Sequence, residues 1–102
     1  MELILTGDTI DAARAAELGL INKAIADGEL MNEARALAAR IAANAPLAVQ
    51  GSRRVAIRAQ DDDDDALWSQ SADELRKIMQ TEDFKEGPRA FVEKRAPVWK
   101  AR

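Results

Sequence analysis

Over residues 30–42 and again over 67–79 apolar residues return at every third or fourth position, and that helical period leaves little of the chain free to build a sheet. Leu30, Ala34, Leu37 and Ile41 form one stripe, with Met31, Ala38 and Ala42 beside it and Glu33, Arg35 and Arg40 opposite. Trp68, Ala72, Leu75 and Met79 repeat the pattern at spacings of four, three and four, widened by Leu67 and Ile78. The apolar residues are chiefly Ala, Leu and Ile, with two Phe, two Trp, no Tyr and three Pro. That is a helix-forming composition, so the expected fold is mainly α.

The punctuation residues set the expected boundaries. Met1 to Thr6 has no N-cap ahead of it, stops at Gly7, and reads as the last turn of an element begun earlier. Asp11 suits the cap of a helix from Ala12 to Leu18, ended by Gly19. Leu20 to Ile25 alternates loosely and is expected to form one strand, whose backbone groups would need a neighbour from upstream sequence or another chain. Asp27 and Gly28 open a helix to about Asn44, and Pro46 starts the next, with Leu47, Ala48, Val55 and Ala59 facing inward. A further helix runs from about Asp63 to Gln80. Thr81 caps the last, with Phe84, Phe91 and Val92 inward and a bend or restart expected at Gly87-Pro88. Lys94 and Arg95 follow at its C-terminal end, where the helix dipole favours cations, and Pro97-Val98-Trp99 reads as an extended tail.

Composition narrows the function. Fifteen Lys and Arg against 18 Asp and Glu give a net charge of -3, so no positive field draws nucleic acid or an anionic membrane. With no cysteine, no long apolar run and no leader-like segment, disulfides and membrane insertion are not expected and the cytoplasm is the expected compartment. The absence of histidine removes the usual neutral-pH proton shuttle, leaving carboxylates and lysines. A chain of 102 residues also buries only about two-thirds of the surface its unfolded form exposes, so partner surface would matter to its stability.

Three segments resemble the enoyl-CoA hydratase/isomerase (crotonase) family. The first is Glu2-Leu3-Ile4-Leu5-Thr6-Gly7 with Ile10-Asp11-Ala12-Ala13-Arg14-Ala15 and Leu18-Gly19-Leu20-Ile21-Asn22. The second is Leu37-Ala38 with Ile41 through Val49 around Pro46. The third is Thr81 to Gly87 followed by Ala90 to Trp99, similar to the family's C-terminal signature. The order and spacing of the three cover nearly the whole chain. Two features depart from the pattern: Arg14 stands where the family often has glutamate, and the run Asp61 to Asp65 is not a family feature.

The resemblance implies the C-terminal end of a crotonase-like α/β spiral, its last helices and one strand, over residues 1–26, followed by a helical trimerisation region over 27–102. It also implies a trimer or hexamer, or association with another crotonase-family subunit, and an acyl-CoA thioester as the ligand at a subunit interface, with no other cofactor. In the family the oxyanion hole and the catalytic carboxylates belong to the spiral core, which would precede Met1. The chain is therefore expected to hold no catalytic residue of its own and to be inactive alone. The competing expectation is a non-enzymatic assembly module that joins a full-length family subunit.

Phe91 and Lys94 match the family's C-terminal Phe and Lys, which the resemblance places near the acyl-CoA site, an apolar face beside a point charge suited to phosphate. The bland reading makes Phe91 core and Lys94 a helix-end cation. Arg53, Arg54 and Arg58 cluster on the Pro46 helix and would suit the anionic end of coenzyme A, although a solvated helix face explains them as simply. Asp61 to Asp65 lacks the ligand alternation and central glycine of a calcium loop, so helix-capping charge is expected there and no metal. Glu74, Glu82, Glu86 and Glu93 show no paired spacing for acid-base work, and Asp73 with Lys77 is read as an ordinary helix pair. Trp68, Leu75 and Met79 are expected in a core or a subunit interface, and Trp99 as a tail anchor.

Overall fold

Every helix of the protein but α4 begins or ends where a side chain or a glycine takes up backbone groups that a helix terminus leaves unpaired. The computed structural model describes all of residues 1–102, as six helices: α1 (Glu2–Thr6), α2 (Ala12–Glu17), α3 (Leu30–Ala42), α4 (Pro46–Arg58), α5 (Asp64–Met79) and α6 (Glu82–Glu93). No strand is present. None of the helices is long and apolar enough to cross a membrane. The chain divides into two compact units, Met1–Leu37 and Ala38–Arg102.

In the first unit Gly7 closes α1 from the left-handed region (φ 71°), its N–H donating to the Leu3 carbonyl. Asp11 caps α2, its Oδ1 accepting from the Arg14 amide at 2.7 Å. The expected strand over Leu20 to Ile25 does not form; those residues are bends and irregular chain. The reason is visible in the hydrogen bonds. The Leu20 amide donates back to the Ala15 carbonyl at 2.9 Å, closing the end of α2, and no second strand exists to pair with the rest. Lys23 instead reaches Glu33 on α3 in an ion pair.

The second unit is built on α4 against α5 and α5 against α6. Pro46 occupies the first turn of α4, where its missing N–H costs nothing. Asp63 caps α5, accepting from the Ala66 amide at 2.8 Å, and Thr81 caps α6 through the Phe84 amide at 3.2 Å. α6 runs through Pro88 as one helix, without the restart offered there as one of two expectations. It is held on both sides of the proline, by the Thr81 cap before it and by Arg95, whose guanidinium folds back onto Glu86 at 2.9 Å.

On α4, Leu47, Ala48 and Val55 are half-buried as expected, but the face of α5 that packs is centred on Glu74 rather than on Trp68, Leu75 and Met79. Ser71, Glu74 and Ile78 of α5 border the groove against α4, and Glu74, 6% exposed, is the one buried residue of that helix. It lies over Gly51, the one buried residue of α4, and a Cβ added there would meet Glu74 Oε2 at 3.2 Å and Ile78 Cδ1 at 3.3 Å. α6 buries Asp83 and Ala90, while Phe84, Phe91 and Val92, expected inward, are exposed. The residues at 83, 87 and 90 share one face of that helix, and the small ones permit close approach. Ala59, also expected inward, is exposed. The α3 stripe of Leu30, Leu37 and Ile41 and the α5 stripe of Trp68, Leu75 and Met79 all face solvent within this chain.

The resulting surface is too large for the mass. Two separate compact bodies sharing the chain in proportion to their residues would together expose about 6,800 Å². This chain exposes 8528 Å². Ala90 is its only buried apolar residue, and Met1–Leu37 has no buried residue at all.

If the approach at Gly51 sets the α4–α5 distance, Gly51→Val should lower stability by about 1–3 kcal/mol through overpacking. Ser52→Val, one residue away and exposed, should change it by less than about 0.5 kcal/mol. Urea midpoints at unchanged slope measure both.

Candidate functional site

The C-terminal end of α6 is where chemically useful groups gather. Glu86, Arg89 and Glu93 lie along one side of the helix at spacings of three and four, and Arg95 returns toward it just past the end. Arg89 Nε donates to Glu93 Oε1 at 2.8 Å, and Arg95 donates through Nε to Glu93 Oε2 and through Nη2 to Glu86 Oε2. Glu86 also accepts from the Val98 amide at 2.8 Å. The Arg95 guanidinium and that amide hold the Glu86 carboxyl at a pKa of about 2. Glu93 is lowered by Arg89 and Arg95, and Glu82 by Lys100 and Arg102.

Both arginines of this end are thereby committed to carboxylates. Lys94 is left as its one cation outside an ion pair. It occupies the helix C-cap in the left-handed region (φ 50°, ψ 41°), its amide donating to the Phe91 carbonyl at 3.3 Å while the Arg95 amide closes on Ala90 at 3.1 Å. Phe91, one turn earlier, is 85% exposed, so the reading that makes it core does not hold within this chain. An open aromatic face and an uncommitted ammonium thus sit three residues apart at one helix end.

The arginine cluster on α4 does not survive as a cluster. Arg54 Nη2 donates to Glu74 at 2.5 Å and Arg58 Nε lies 2.7 Å from Asp62, leaving only Arg53 outside an ion pair. Asp62 and Asp63 of the acidic run are therefore used locally, one as the partner of Arg58 and the other as the cap of α5. No group of three acidic side chains converges as a metal would need. Asp73 pairs with Arg76 rather than with Lys77, which turns to Glu74 at 2.9 Å. Bonds from Arg54 and then Lys77 outweigh burial and hold Glu74 at a pKa of about 2.

Trp99 does anchor the tail: its indole Nε1 donates to the Ala43 carbonyl at 2.8 Å. Two features were missed in the sequence. One is Glu74 as the buried anchor of α4 and α5, signalled only by Gly51 in a helix interior. The other is Asp83, 3% exposed, which accepts from the Lys100 and Ala101 amides at 2.7 and 3.0 Å.

Comparison with known proteins bears on the whole length. The family model described as enoyl-CoA hydratase/isomerase matches residues 1–102. An enoyl-CoA hydratase of Mycobacterium tuberculosis is 42% identical over 96 residues, covering 94% of this chain and 36% of that protein. A carnitinyl-CoA dehydratase of Salmonella typhi is 35% identical over 106 residues, covering 99% of this chain and 40% of the relative. The crystal structure of an enoyl-CoA hydratase from Mycobacterium tuberculosis superposes with a TM-score of 0.94 at 39% identity, over 100% of this chain and 40% of that one. The chain therefore spans about two fifths of the length of the relatives it matches.

Two outcomes follow from the geometry. Glu74 and Glu86 have pKa values lowered from 4.5 to about 2, so each stabilises the fold above about pH 4.5 and loses that contribution as pH falls through about 2. Urea midpoints measured from pH 5 downward should fall across that window, and Glu74→Gln with Glu86→Gln should be weaker at pH 7 but flatter with pH. Lys94→Gly, which relieves a left-handed backbone, should raise stability by about 1 kcal/mol in the same assay.

Proposed function

Because this chain belongs to the enoyl-CoA hydratase/isomerase family, we propose that it is the C-terminal portion of such a protein, acting within acyl-CoA metabolism as the part that assembles subunits and covers the bound thioester. Residues 1–26 would close the spiral core and residues 27–102 would form the trimerisation region. The observation that carries the reading is the pairing of a full-length family match with a surface that leaves the apolar stripes of α3 and α5 open. Stripes of Leu, Ile, Met and Trp at this exposure mark surfaces that other protein covers.

The carboxylates support a reaction centre outside these residues. A general acid or base near neutral pH needs a raised carboxylate pKa, and Glu74, Glu82, Glu86 and Glu93 are all lowered by cationic partners. Enolate chemistry at a thioester also depends on donors aimed at the carbonyl oxygen, each worth on the order of a hundredfold in rate. On this reading those donors and the working carboxylates belong to the spiral core. Phe91 and Lys94 would act on the ligand by contact: the ring against an apolar or planar group, the ammonium against phosphate of the coenzyme A moiety. The site would be completed by a neighbouring subunit.

Pure chain should give no turnover of crotonyl-CoA. It should elute either as a multiple of 11.2 kDa or together with a family subunit supplied in trans. Trp68→Asp, at a side chain 75% exposed, should weaken that association by at least about 2 kcal/mol. Phe91→Ala with Lys94→Gln should lower affinity of the assembled form for a coenzyme A thioester roughly tenfold. A monodisperse monomer, or turnover by the chain alone, overturns the proposal; light scattering and a hydration assay read the two.

A further inference from the structure

Residues 96–102 lie along α6 in a manner unlike a frayed terminus. The Val98 amide donates to Glu86 at 2.8 Å, and the Lys100 and Ala101 amides donate to the two oxygens of Asp83 at 2.7 and 3.0 Å. The Glu82 amide donates to the Arg102 carbonyl at 2.6 Å, while Lys100 Nζ and Arg102 Nε reach the Glu82 carboxylate at 2.9 and 3.0 Å. Between these contacts Trp99 turns the other way. Its ring lies 3.6 Å from where a Cβ on Gly87 would stand, beside a cleft of about 220 Å³ bordered by Leu47, Ile78, Phe84 and Pro88.

The match is geometric as well as chemical. Side chains three apart on a helix stand about 5–6 Å from one another, and two residues of extended chain advance about 6.6 Å. Asp83 and Glu86 therefore meet alternate amides of a segment running antiparallel to the helix, as a strand edge would, with Trp99 on the opposite side entering the slot beside Gly87. The tail contributes little apolar burial: Val98 is 65% exposed, and Trp99 is its only half-buried residue. Ala101 sits in the left-handed region (φ 57°), unfavourable for a residue with a Cβ. Carboxylates and one indole hold the segment, not a core.

We propose that the α6 face carrying Glu82, Asp83 and Glu86, together with the slot beside Gly87, is a binding site for an extended, basic, tryptophan-bearing peptide, which residues 96–102 occupy in cis as a detachable strap. Recognition requires free backbone N–H groups at the positions of Val98, Lys100 and Ala101, an indole at position 99 and cations at 100 and 102. This stands independently of the assembly reading, since it concerns contacts within Ala38–Arg102 alone.

The test uses the full chain carrying Trp99→Ala, which empties the slot, and a fluorescein-labelled heptapeptide of sequence Ala-Pro-Val-Trp-Lys-Ala-Arg. Saturable anisotropy is expected, with binding at least tenfold weaker when Asp83→Asn is added and also when the peptide's Trp is replaced by Ala. No saturable binding to a variant that retains its helical circular dichroism overturns the proposal. If Trp99→Ala does not fold, hydrogen exchange on the unaltered chain decides. Amides of Val98, Lys100 and Ala101 exchanging together and at least tenfold faster than those of α5 uphold a detachable strap; exchange at the α5 rate refutes it.

Discussion

Gly51 and Glu74 meet where α4 packs on α5, and the setting of these two helices follows from that contact. Without a side chain at 51 the two helices come close enough to bury a carboxylate between them, and a buried carboxylate must be paired. Arg54 reaches it from α4 and Lys77 from its own helix. The rotational setting of both helices is then no longer free. With Glu74 turned inward, Trp68, Leu75 and Met79 are carried around to the outside. A buried carboxylate paired with half-exposed cations is weak evidence for net stability, but it specifies which of two faces packs, and an apolar replacement at 74 would remove that choice.

This inverts the ordinary logic of an amphipathic helix. Gly51, Glu74, Asp83 and Ala90 are the residues buried within the chain, and most of the large apolar side chains are left exposed. The same holds on α6, where Asp83 and Ala90 are buried while Phe91 and Val92 are 85% and 79% exposed. Scattered surface hydrophobes need no explanation, but stripes on three helices with a surface well above that of separate compact bodies do. A helical region that packs against other subunits or a larger core would show this distribution, because its interior is completed in the assembly.

That inversion also explains what the sequence could and could not convey. Caps depend on one residue and its neighbours, so Gly7, Asp11, Pro46, Asp63 and Thr81 marked helix ends that the structure bears out to within a few residues. Faces depend on partners. Periodicity identified the stripes containing Leu37, Leu75 and Phe91 but placed the last with Phe84 and Val92 on an inner side, since a period cannot say whether the neighbour lies in the same chain. The strand over Leu20 to Ile25 failed for a related reason: alternation is visible locally, whereas a ladder needs a second strand that this chain does not supply. At the candidate site, the position of Phe91 and Lys94 at a helix end was legible. The commitment of Arg54 and Arg95 to carboxylates was not, because it depends on residues brought together by the α4–α5 contact and by the turn after α6, whereas Arg58 with Asp62 and Arg89 with Glu93 are i,i+4 pairs that spacing alone could have signalled.

The conformation of Lys94 adds an argument that composition alone does not carry. A helix ending in a left-handed residue most often uses glycine, since any Cβ there costs free energy. Here the closing bonds from Lys94 to Phe91 and from Arg95 to Ala90 are made by a lysine at φ 50°. Nothing within the chain takes up its ammonium, while both neighbouring arginines are neutralised. Strain of this kind persists where the surroundings over-determine the backbone, and the surroundings here are the Arg95 clamp on Glu86 and the strap beyond it. A free cation held in an unfavourable turn beside an exposed ring is costly as structure and useful as a contact for an anionic ligand, which is the role the proposed function gives to Phe91 and Lys94. On the two proposals, α6 would serve both the strap and the ligand end. The carboxylates on one side of α6 hold the tail, the tail holds the turn, and the turn presents the lysine.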